Sequence, residues 1–199
     1  MRQITIPDEL LFKYGAKVRN FEKDDYLAKA GSYPKSILYI KSGTAKIVNF
    51  NEDGTEVLHG FNSANHLIGI GTYLGNLKYY NDFIALSEVE TRELSLEQFE
   101  LLMSENFEVT REIMRYLSII VNLKTTTLSA TLGNSPREKV LFLLDAVKPY
   151  MDKAGLDRLP YTRQDMANYL GLRVETVIRT IKELEGEGKI ELDKGKICI

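Results

Sequence analysis

The C-terminal segment, from Thr162 to Ile199, carries the pattern that most restricts what this chain can fold into. Two short stretches of helical periodicity meet at Gly171, and a helix that is closed by a glycine turns sharply into the next one. Ala167 precedes that glycine by four residues and leaves room for the two helices to cross closely. After Gly188 the period falls to two, which predicts a β-hairpin. The segment therefore predicts a helix-turn-helix followed by a β wing.

Capping residues and apolar spacing define the parts of this segment. Thr162 is a suitable N-cap for the first helix, and the second helix is predicted from Val174 to about Glu185. The turn Asp193-Lys194-Gly195 joins the two strands of the hairpin. A small apolar core is predicted from Met166, Leu170, Val177, Ile181 and Leu184.

The outward face of the second helix carries side chains suited to reading DNA. Ile178 and Arg179 follow Glu175 by three and four residues, so the three side chains share one face. In a major groove Arg179 can bind guanine through two hydrogen bonds, Glu175 can accept one from the amine of cytosine, and Ile178 can contact the methyl group of thymine. The flanking residues predicted to hold phosphates, and so to position the protein without reading sequence, are Arg163, Arg173, Thr176 and Lys182.

An alternative interpretation of this helix face is a solvated surface on which charges four residues apart pair with one another, as Arg179 and Glu183 would. That interpretation explains the charges. It does not explain why the alanine, the glycine, the second helix and the hairpin occur together, so DNA recognition is preferred.

The composition is that of an ordinary globular protein. The 199 residues are 44% hydrophobic and 27% charged, with a net charge of −2. This charge argues against a nonspecific polyanion binder but permits a specific one, because the distribution of charge matters more than its sum. No window approaches the roughly 18 consecutive apolar residues of a membrane span, and the first residues lack the pattern of a secretory leader. We therefore expect a cytoplasmic protein.

Metal and redox chemistry have few candidate ligands in this chain. The single cysteine, Cys198, excludes an iron–sulfur cluster held by this chain's own cysteines. His59 and His66 are seven residues apart, a spacing that fits no common metal motif. We expect no cofactor and no metal site.

Residues 17–94 have the pattern of short strands separated by turns. Glycine-containing connections at Ser42-Gly43 and Asn51-Glu52-Asp53-Gly54 separate successive β-rich runs. The runs are KSILYI, TAKIVNF, TEVLHGF and, after a tyrosine-rich passage, NDFIALSEVETREL. Short strands at this spacing indicate an antiparallel sandwich or barrel of the jelly-roll type, with room for one small ligand inside.

Beyond Leu94 the period becomes helical. Ser95 to Gln98 resembles a capped helix start, and a longer helix is predicted from about Glu108 to Leu132. On that helix a seam of alternating three- and four-residue steps contains Met114, Leu117, Val121 and Leu128, interrupted by Lys124, and a second apolar face contains Ile113, Ile120 and Leu123. Two apolar faces need two partners, which are the barrel and the same helix of a second subunit. The alternative is a helix buried within a monomer.

Gly133-Asn134-Ser135-Pro136 marks the predicted domain boundary. Glycine and asparagine suit a helix end, whereas serine and proline suit the start of the next helix, predicted to run from Pro136 to about Lys153. Its core face contains Val140, Leu141, Leu143, Leu144 and Val147. The predicted fold is α+β, with a jelly-roll sensor domain at 1–107, a long dimerisation helix at 108–133 and a winged helix-turn-helix domain at 134–199.

With these elements the chain resembles the CRP/FNR family of bacterial regulators over nearly its whole length. The strongest resemblance is in TRQDMANYLGLRVETVIRTI, where Glu175 and Arg179 match the base-reading positions of the FNR branch. Ile178 replaces the serine usual in that branch, and Val174 replaces the arginine of the CRP branch. The resemblance implies a palindromic DNA site with TGA-like half-site cores.

The N-terminal half is similar to the family's cyclic-nucleotide-binding jelly roll, through its glycine turns and the stretch from His66 to Gly69. Nucleotide-binding members follow that glycine with a glutamate and later carry an Arg-Ser or Arg-Thr pair. Here the corresponding residues are Ile70 and Tyr80-Asn81. A buried cyclic phosphate without a cationic partner is costly, so cyclic AMP binding in the usual mode is not expected.

The resemblance also implies where an effector would bind. The segment that lines the effector pocket in relatives here contains Tyr73, Lys78, Tyr79 and Tyr80, and Lys124 on the long helix lies nearby. One hypothesis is therefore a small aromatic or anionic effector. The other is a vestigial barrel without a ligand, whose tyrosines are packed as core or rim.

These observations predict a homodimeric transcription regulator that is not an enzyme. The alternatives are a cyclic-nucleotide-dependent regulator with an altered pocket and a cupin-type metalloenzyme, but two histidines do not supply the ligands of the latter. RNA polymerase is a possible partner, for which the loop from Asp152 to Arg158 is the candidate surface.

Overall fold

The computed structural model describes residues 4–52, 54, 56–133, 135–154, 157–159 and 161–198. The chain divides into two compact units, the first ending at Val121 and the second beginning at Asn122. This division falls inside the long helix, whereas the sequence pattern places the boundary at the helix break near residue 134.

The first unit consists of eight strands and three short helices, followed by the start of a long one. Its helices are α1 (Asp8–Lys13), α2 (Ile70–Leu74) and α3 (Leu96–Glu105). Its strands are β1 (Lys17–Phe21), β2 (Tyr26–Ala28), β3 (Ser36–Ser42), β4 (Thr44–Phe50), β5 (Glu56–Ser63), β6 (Leu67–Ile68), β7 (Asp82–Ala85) and β8 (Val89–Ser95). They form two four-stranded antiparallel sheets, in the orders β1-β8-β3-β6 and β2-β7-β4-β5. The predicted jelly roll is confirmed.

Among the described strands β1 to β8, every connection except that from β4 to β5 carries the chain from one sheet to the other, and two of these crossings bear on the sequence pattern. The first is at Gly43, between β3 and β4, where φ is 83° and an added Cβ would lie 2.0 Å from the carbonyl oxygen of Glu88. A side chain at this position is therefore excluded by both conformation and space. The second connection divides NDFIALSEVETREL, which the sequence pattern treats as one run, into β7 and β8 of opposite sheets.

Strand β3 is buried on both faces, which explains why its sequence is continuously apolar. Leu38 and Ile40 face the interior between the sheets, whereas Ile37 and Tyr39 pack against the helices. Successive side chains of a strand point to opposite faces, so one run of residues serves two cores.

The interior between the sheets is filled by the chain's own side chains. The cluster consists of Phe21, Leu27, Leu38, Ile40, Ala45, Ile68, Tyr79, Ala85 and Val89, with Ala28 and Phe83 packed against it. Tyr79 contributes its ring from the segment between α2 and β7, and burial raises the pKa of its hydroxyl to about 12.

The remaining elements are four helices and a hairpin. The helices are α4 (Phe107–Gly133), α5 (Pro136–Ala154), α6 (Arg163–Leu170) and α7 (Val174–Gly186), and the strands are β9 (Glu191–Asp193) and β10 (Lys196–Cys198). All of them were predicted within two residues. No helix among the described residues is long and apolar enough to cross a membrane.

The predicted helix caps are present where the structure describes them. Ser95 caps α3 through reciprocal bonds with Gln98. At α5 the hydroxyl of Ser135 accepts a 3.3 Å hydrogen bond from the Glu138 amide, and the Glu138 carboxylate accepts a 2.8 Å bond from the Ser135 amide. Asn134, the other residue of the predicted break, lies outside the described residues. On α5 the predicted core residues are buried except Leu141, which is half-buried.

Candidate nucleic-acid interface

The turn between α6 and α7 is determined by local interactions. Thr162 and Asp165 form a reciprocal capping box that begins α6. Gly171 ends α6 in the left-handed region, with φ 61° and ψ 39°, and nothing lies within 4 Å of the position a Cβ would take. This position therefore requires glycine for its backbone conformation and not for space.

The inner face of α7 packs into the small core predicted from the sequence. Met166, Ala167 and Leu170 of α6 are each at most 1% exposed. From α7, Val177, Ile181 and Leu184 are buried, and Thr180 is buried with them. Because this face is held firmly, the opposite face of α7 has a fixed direction.

The outer face of α7 is exposed and mixes apolar with charged side chains. Glu175, Arg179 and Lys182 are exposed, and Ile178 among them keeps 40% of its surface in solvent. Together with Glu183 these side chains border one open hollow, which makes them a contiguous surface. A helix of 13 residues is about 20 Å long, a size that the major groove accommodates.

Arg179 is held weakly by its own helix. Its Nε atom lies 3.9 Å from a carboxylate oxygen of Glu183, and its side chain is 73% exposed. An exposed pair four residues apart contributes about 0.3–0.5 kcal/mol at most, and at this distance less. Arg179 can therefore exchange Glu183 for another acceptor at little cost.

The predicted phosphate-binding residues fall into two groups. Arg173, Thr176 and Lys182 lie on or beside α7: Arg173 is its N-cap, and its carbonyl oxygen accepts the amides of Thr176 at 3.0 Å and Val177 at 3.1 Å. Arg163 begins α6 and points elsewhere, since its Nη2 donates a 3.0 Å hydrogen bond to the carbonyl of Gly195. Burial lowers the pKa of Arg163, and the negative charge of Glu185 opposes this effect.

The wing is a tight hairpin. Leu192 pairs with Ile197, and the turn residues Lys194 and Gly195 both have positive φ, 48° and 77°. Two central residues with positive φ form a type I′ turn, whose twist matches that of paired strands. Lys194 and Lys196 are exposed on either side of Gly195, so the tip of the wing is basic.

The wing is attached to the rest of its unit by Arg158, the last residue of the loop that the sequence analysis makes the candidate surface for RNA polymerase, and by the neighbouring Leu159. Arg158 forms an ion pair with Asp193, and the amide of Leu159 donates a 2.8 Å bond to the carbonyl of Ile197. The lysines at the wing tip could have been found from their position around a glycine turn. The partners Arg158 and Asp193 could not, because no local pattern connects residues so far apart.

A second ion pair fixes α7 relative to α5. Arg137 donates to both carboxylate oxygens of Glu187, at 2.8 and 2.5 Å. These hydrogen bonds lower the pKa of Glu187 and raise that of Arg137. The pair connects the first turn of α5 with the end of α7, and so helps to set the direction in which the outer face of α7 points.

The predicted effector-pocket residues have separate surroundings. Tyr73 donates a 3.1 Å hydrogen bond to Glu100 of α3, and desolvation, followed by this bond, raises the pKa of the Tyr73 hydroxyl. The ammonium of Lys78 lies 5.4 Å from the centre of the Tyr33 ring, and Tyr80 is 78% exposed. Lys124 is exposed on the part of α4 that belongs to the second unit.

Two family models match this chain. The family described as the cyclic nucleotide-binding domain matches residues 18–106, which contain both sheets and α3. The family described as the Crp-like helix-turn-helix domain matches residues 139–199, which contain α6, α7 and the wing.

Individual proteins resemble the chain across both units. It is 29% identical over 183 residues to Electron transport regulator A of Shewanella oneidensis, spanning 89% of this chain and 72% of that protein. It is 28% identical over 179 residues to the fumarate and nitrate reduction regulatory protein of Escherichia coli K12, spanning 88% of this chain and 71% of that one. The solved structure of FixK2 from Bradyrhizobium japonicum has the same fold, with a TM-score of 0.77 over 92% of each chain and 18% identity.

Proposed function

The chain belongs to the CRP/FNR family of transcription regulators, and on that premise we propose that it binds a palindromic promoter site as a homodimer. Like its relatives, the chain is a DNA-binding regulator and not an enzyme. In this proposal α7 lies in the major groove, with Glu175, Ile178 and Arg179 contacting base edges.

The observation that carries the proposal is the exposed face of α7. Ile178 keeps 40% of its surface in solvent, between an acid and a guanidinium, and is not among the buried residues of α7. Against DNA each side chain has a distinct chemical partner: guanine for Arg179, the cytosine amine for Glu175 and the thymine methyl for Ile178. The resemblance of Glu175 and Arg179 to the base-reading positions favours TGA-like half-sites, and Ile178 determines the preference beside them.

The phosphate contacts in this proposal surround the base-reading face. Arg173, the N-cap of α7, and Lys182, within α7, are both exposed, and half-buried Thr176 in the first turn of α7 supplies a hydroxyl. Arg163 adds a cation at the start of α6, close to the basic wing tip. Such contacts supply most of the affinity and its dependence on salt, but no discrimination between sequences.

Selection of duplexes from a random DNA pool tests the proposal directly. The full chain is expected to enrich a palindrome whose half-sites are one helical turn apart, because two copies of α7 would enter successive major grooves. A single half-site without symmetry would contradict the dimer. No enrichment over bulk competitor across a range of salt concentrations would contradict sequence-specific binding by this face.

The dimer in this proposal is formed by α4. Met114, Val121 and Leu128 on the seam are 51%, 65% and 58% exposed, while Ile113 on the other face is fully buried against the sheets. One apolar face of α4 is thus already used, and a second copy of the chain is the partner we propose for the other. Sedimentation equilibrium of the full chain measures the association, and a monomer at micromolar concentration would contradict it.

The sensor unit, in this proposal, does not bind cyclic AMP in the usual mode. Ile70 stands where nucleotide-binding members have a glutamate, and the ring of Tyr79 occupies the interior between the sheets. An added Cβ at Gly69 would lie 2.7 Å from the Tyr79 hydroxyl, so the chain itself fills the space beside that glycine. An effector that binds elsewhere near Tyr73, Lys78, Tyr80 or Lys124 would act by shifting the placement of the DNA-binding units.

Thermal shift measurements separate the possible effectors. Any ligand that binds the folded chain tightly raises its Tm by mass action. We expect no shift with cyclic nucleotides, whereas a rise with cyclic AMP would favour the alternative of a cyclic-nucleotide-dependent regulator with an altered pocket. A rise with aromatic acids would identify the effector class.

Two further parts of the proposal follow from DNA binding. A regulator acts where the chromosome is, so we expect the chain to work in the bacterial cytoplasm. RNA polymerase is the proposed partner at the promoter, and the surface we assign to it is the segment from Asp152 to Arg158. Crosslinking from single photoreactive residues in that segment, on promoter DNA, tests the assignment.

A further inference from the structure

We propose that α2 forms part of the interface between two copies of this chain, with Leu74 packing against α4 of the second copy. The inference rests on the proposed homodimer and adds to it a second contact surface outside α4. It is carried by the size of the α4 seam, by the position of α2 beside it, and by the absence of charge on α2.

The seam of α4 is small for the interface it is proposed to form. A helix of 27 residues presents about four of every seven to a parallel partner, or about fifteen residues. A stable interface of standard size uses about 20–30 residues on each side. The seam is also interrupted by Lys124, which is exposed. Additional surface beside α4 is therefore needed.

Helix α2 lies directly beside the seam. An added Cβ at Gly71 would be 4.0 Å from the Cδ2 atom of Leu117, a seam residue. Ile70 is buried in the cluster that also contains Ile113 of α4, and Tyr73, Leu117 and Ile120 pack against that cluster. A partner helix that packs over Leu117 passes next to α2, because glycine at position 71 leaves no side chain in the way.

The orientation of α2 turns Leu74 outward. Ile70 fixes one side of α2 in the core, and the hydrogen bond from Tyr73 to Glu100 fixes another. Leu74 follows Gly71 by three residues and Ile70 by four, and so lies one turn further along, between the side of the seam contact and the buried side. It is 49% exposed. Leu77, folded back by a bond from its amide to the Thr72 carbonyl, is 60% exposed.

The chemistry of this surface fits a second copy of the chain. No residue from Leu67 to Leu77 is charged. Depletion of charge with retained apolar surface is typical of the core of a homodimer interface. Leu101 on α3 has the same exposure as Leu74, 49%, but its helix carries Glu97, Glu100 and Glu105. Leu101 therefore serves as a matched control.

Three single substitutions in the full chain test the inference: Leu74→Glu on α2, Leu101→Glu on α3 and Val121→Glu on the seam. Sedimentation equilibrium gives the dimer Kd of each, and far-ultraviolet circular dichroism verifies the fold. Leu74→Glu and Val121→Glu are expected to raise Kd by about tenfold or more, because each buries a charge at the interface, and Leu101→Glu by less than about threefold. Leu74→Gln provides the same comparison if Leu74→Glu does not fold.

The outcomes separate this inference from the proposed dimer. If Val121→Glu dissociates the dimer and Leu74→Glu behaves as Leu101→Glu does, the role of α2 is wrong and the α4 dimer stands. If Leu101→Glu weakens the dimer as much as Leu74→Glu, α2 has no special place in the interface and the inference is also wrong. If Val121→Glu leaves the dimer intact, the α4 seam is not the interface and both proposals fail.

Discussion

Arg179 and Lys182 occupy the same helix face but have different expected effects on DNA binding. Arg179 is weakly paired and 73% exposed, so its guanidinium is available to make two hydrogen bonds with a guanine. Lys182 follows three residues later and carries a point charge suited to a phosphate. The distinction between them is one of geometry, since both are cations.

We expect Arg179→Ala to cost about 1–3 kcal/mol on the selected site and to relax discrimination at one guanine. Lys182→Ala is expected to weaken all duplexes alike and to reduce the slope of log Kd against log salt by about one. Titrations of both variants on the selected site and on random DNA, at several salt concentrations, give the Kd values and the salt slopes that test these expectations. Equal losses on the two DNAs for both variants would contradict the assignment of roles.

Arg163 is the predicted phosphate residue whose surroundings differ most from the expectation. Its bond to the carbonyl of Gly195 indicates that it also positions the wing. We expect Arg163→Ala to accelerate amide hydrogen exchange about tenfold over residues 191–198, because a charge-assisted hydrogen bond to the turn is lost. Arg173→Ala is the control, since Arg173 is likewise a candidate for a phosphate contact but lies at the start of α7, away from the wing turn. Unchanged exchange in Arg163→Ala would leave phosphate binding as its role.

At the scale of elements, the glycines at the ends of α6 and α7 differ in backbone conformation but not in the space around them. Gly171 has φ 61° with open space around it, whereas Gly186 closes α7 with an ordinary helical φ and equally open space. Only the backbone conformation distinguishes the two positions.

Alanine at these two glycines is expected to have opposite effects on stability. Gly171→Ala should lower the free energy of unfolding by about 1 kcal/mol, because a Cβ strains the left-handed conformation. Gly186→Ala should leave it unchanged or raise it by up to about 1 kcal/mol through helix propensity. Urea unfolding of the unmodified chain and of the two variants measures both changes in the free energy of unfolding. A loss of stability in both variants would show that packing, not backbone conformation, decides the effect.

Elements with local signals were predicted well, and elements that depend on distant partners were not. The spans of α3 to α7 follow from caps and apolar periodicity, which act within a few residues. Helix α1 was missed because its position depends on Asp8, whose carboxylate contacts Arg92 and Lys41 of the sheet. Helix α2 was missed because five residues are too few to establish a period.

At the scale of the whole molecule, Lys124 is the charged residue on the α4 seam of the proposed dimer. In a parallel, symmetric pair of α4 helices each Lys124 would face its own copy, and like charges at such a position oppose association. The charge is therefore expected to weaken the proposed dimer, and salt is expected to relieve the repulsion by screening it.

We expect Lys124→Leu to lower the dimer Kd at least about tenfold and to remove most of its dependence on salt. Lys148→Leu is the control, because it makes the same substitution at an exposed position of α5 outside the seam. It should change neither the dimer Kd nor the dependence of Kd on salt. Sedimentation equilibrium at low and high salt compares them. An unchanged Kd in Lys124→Leu would mean that Lys124 does not lie between the two helices.

The sequence by itself determined the secondary structure of the C-terminal unit and the residues on the outer face of α7, because capping, glycine conformation and helical periodicity act over a few residues. Only the tertiary structure decided that Arg163 reaches the wing and that Arg158 pairs with Asp193. It also decided that the ring of Tyr79 lies in the interior between the two sheets and that α2 lies against Leu117. These contacts join residues far apart in sequence, and their partners are selected by packing and not by any local pattern.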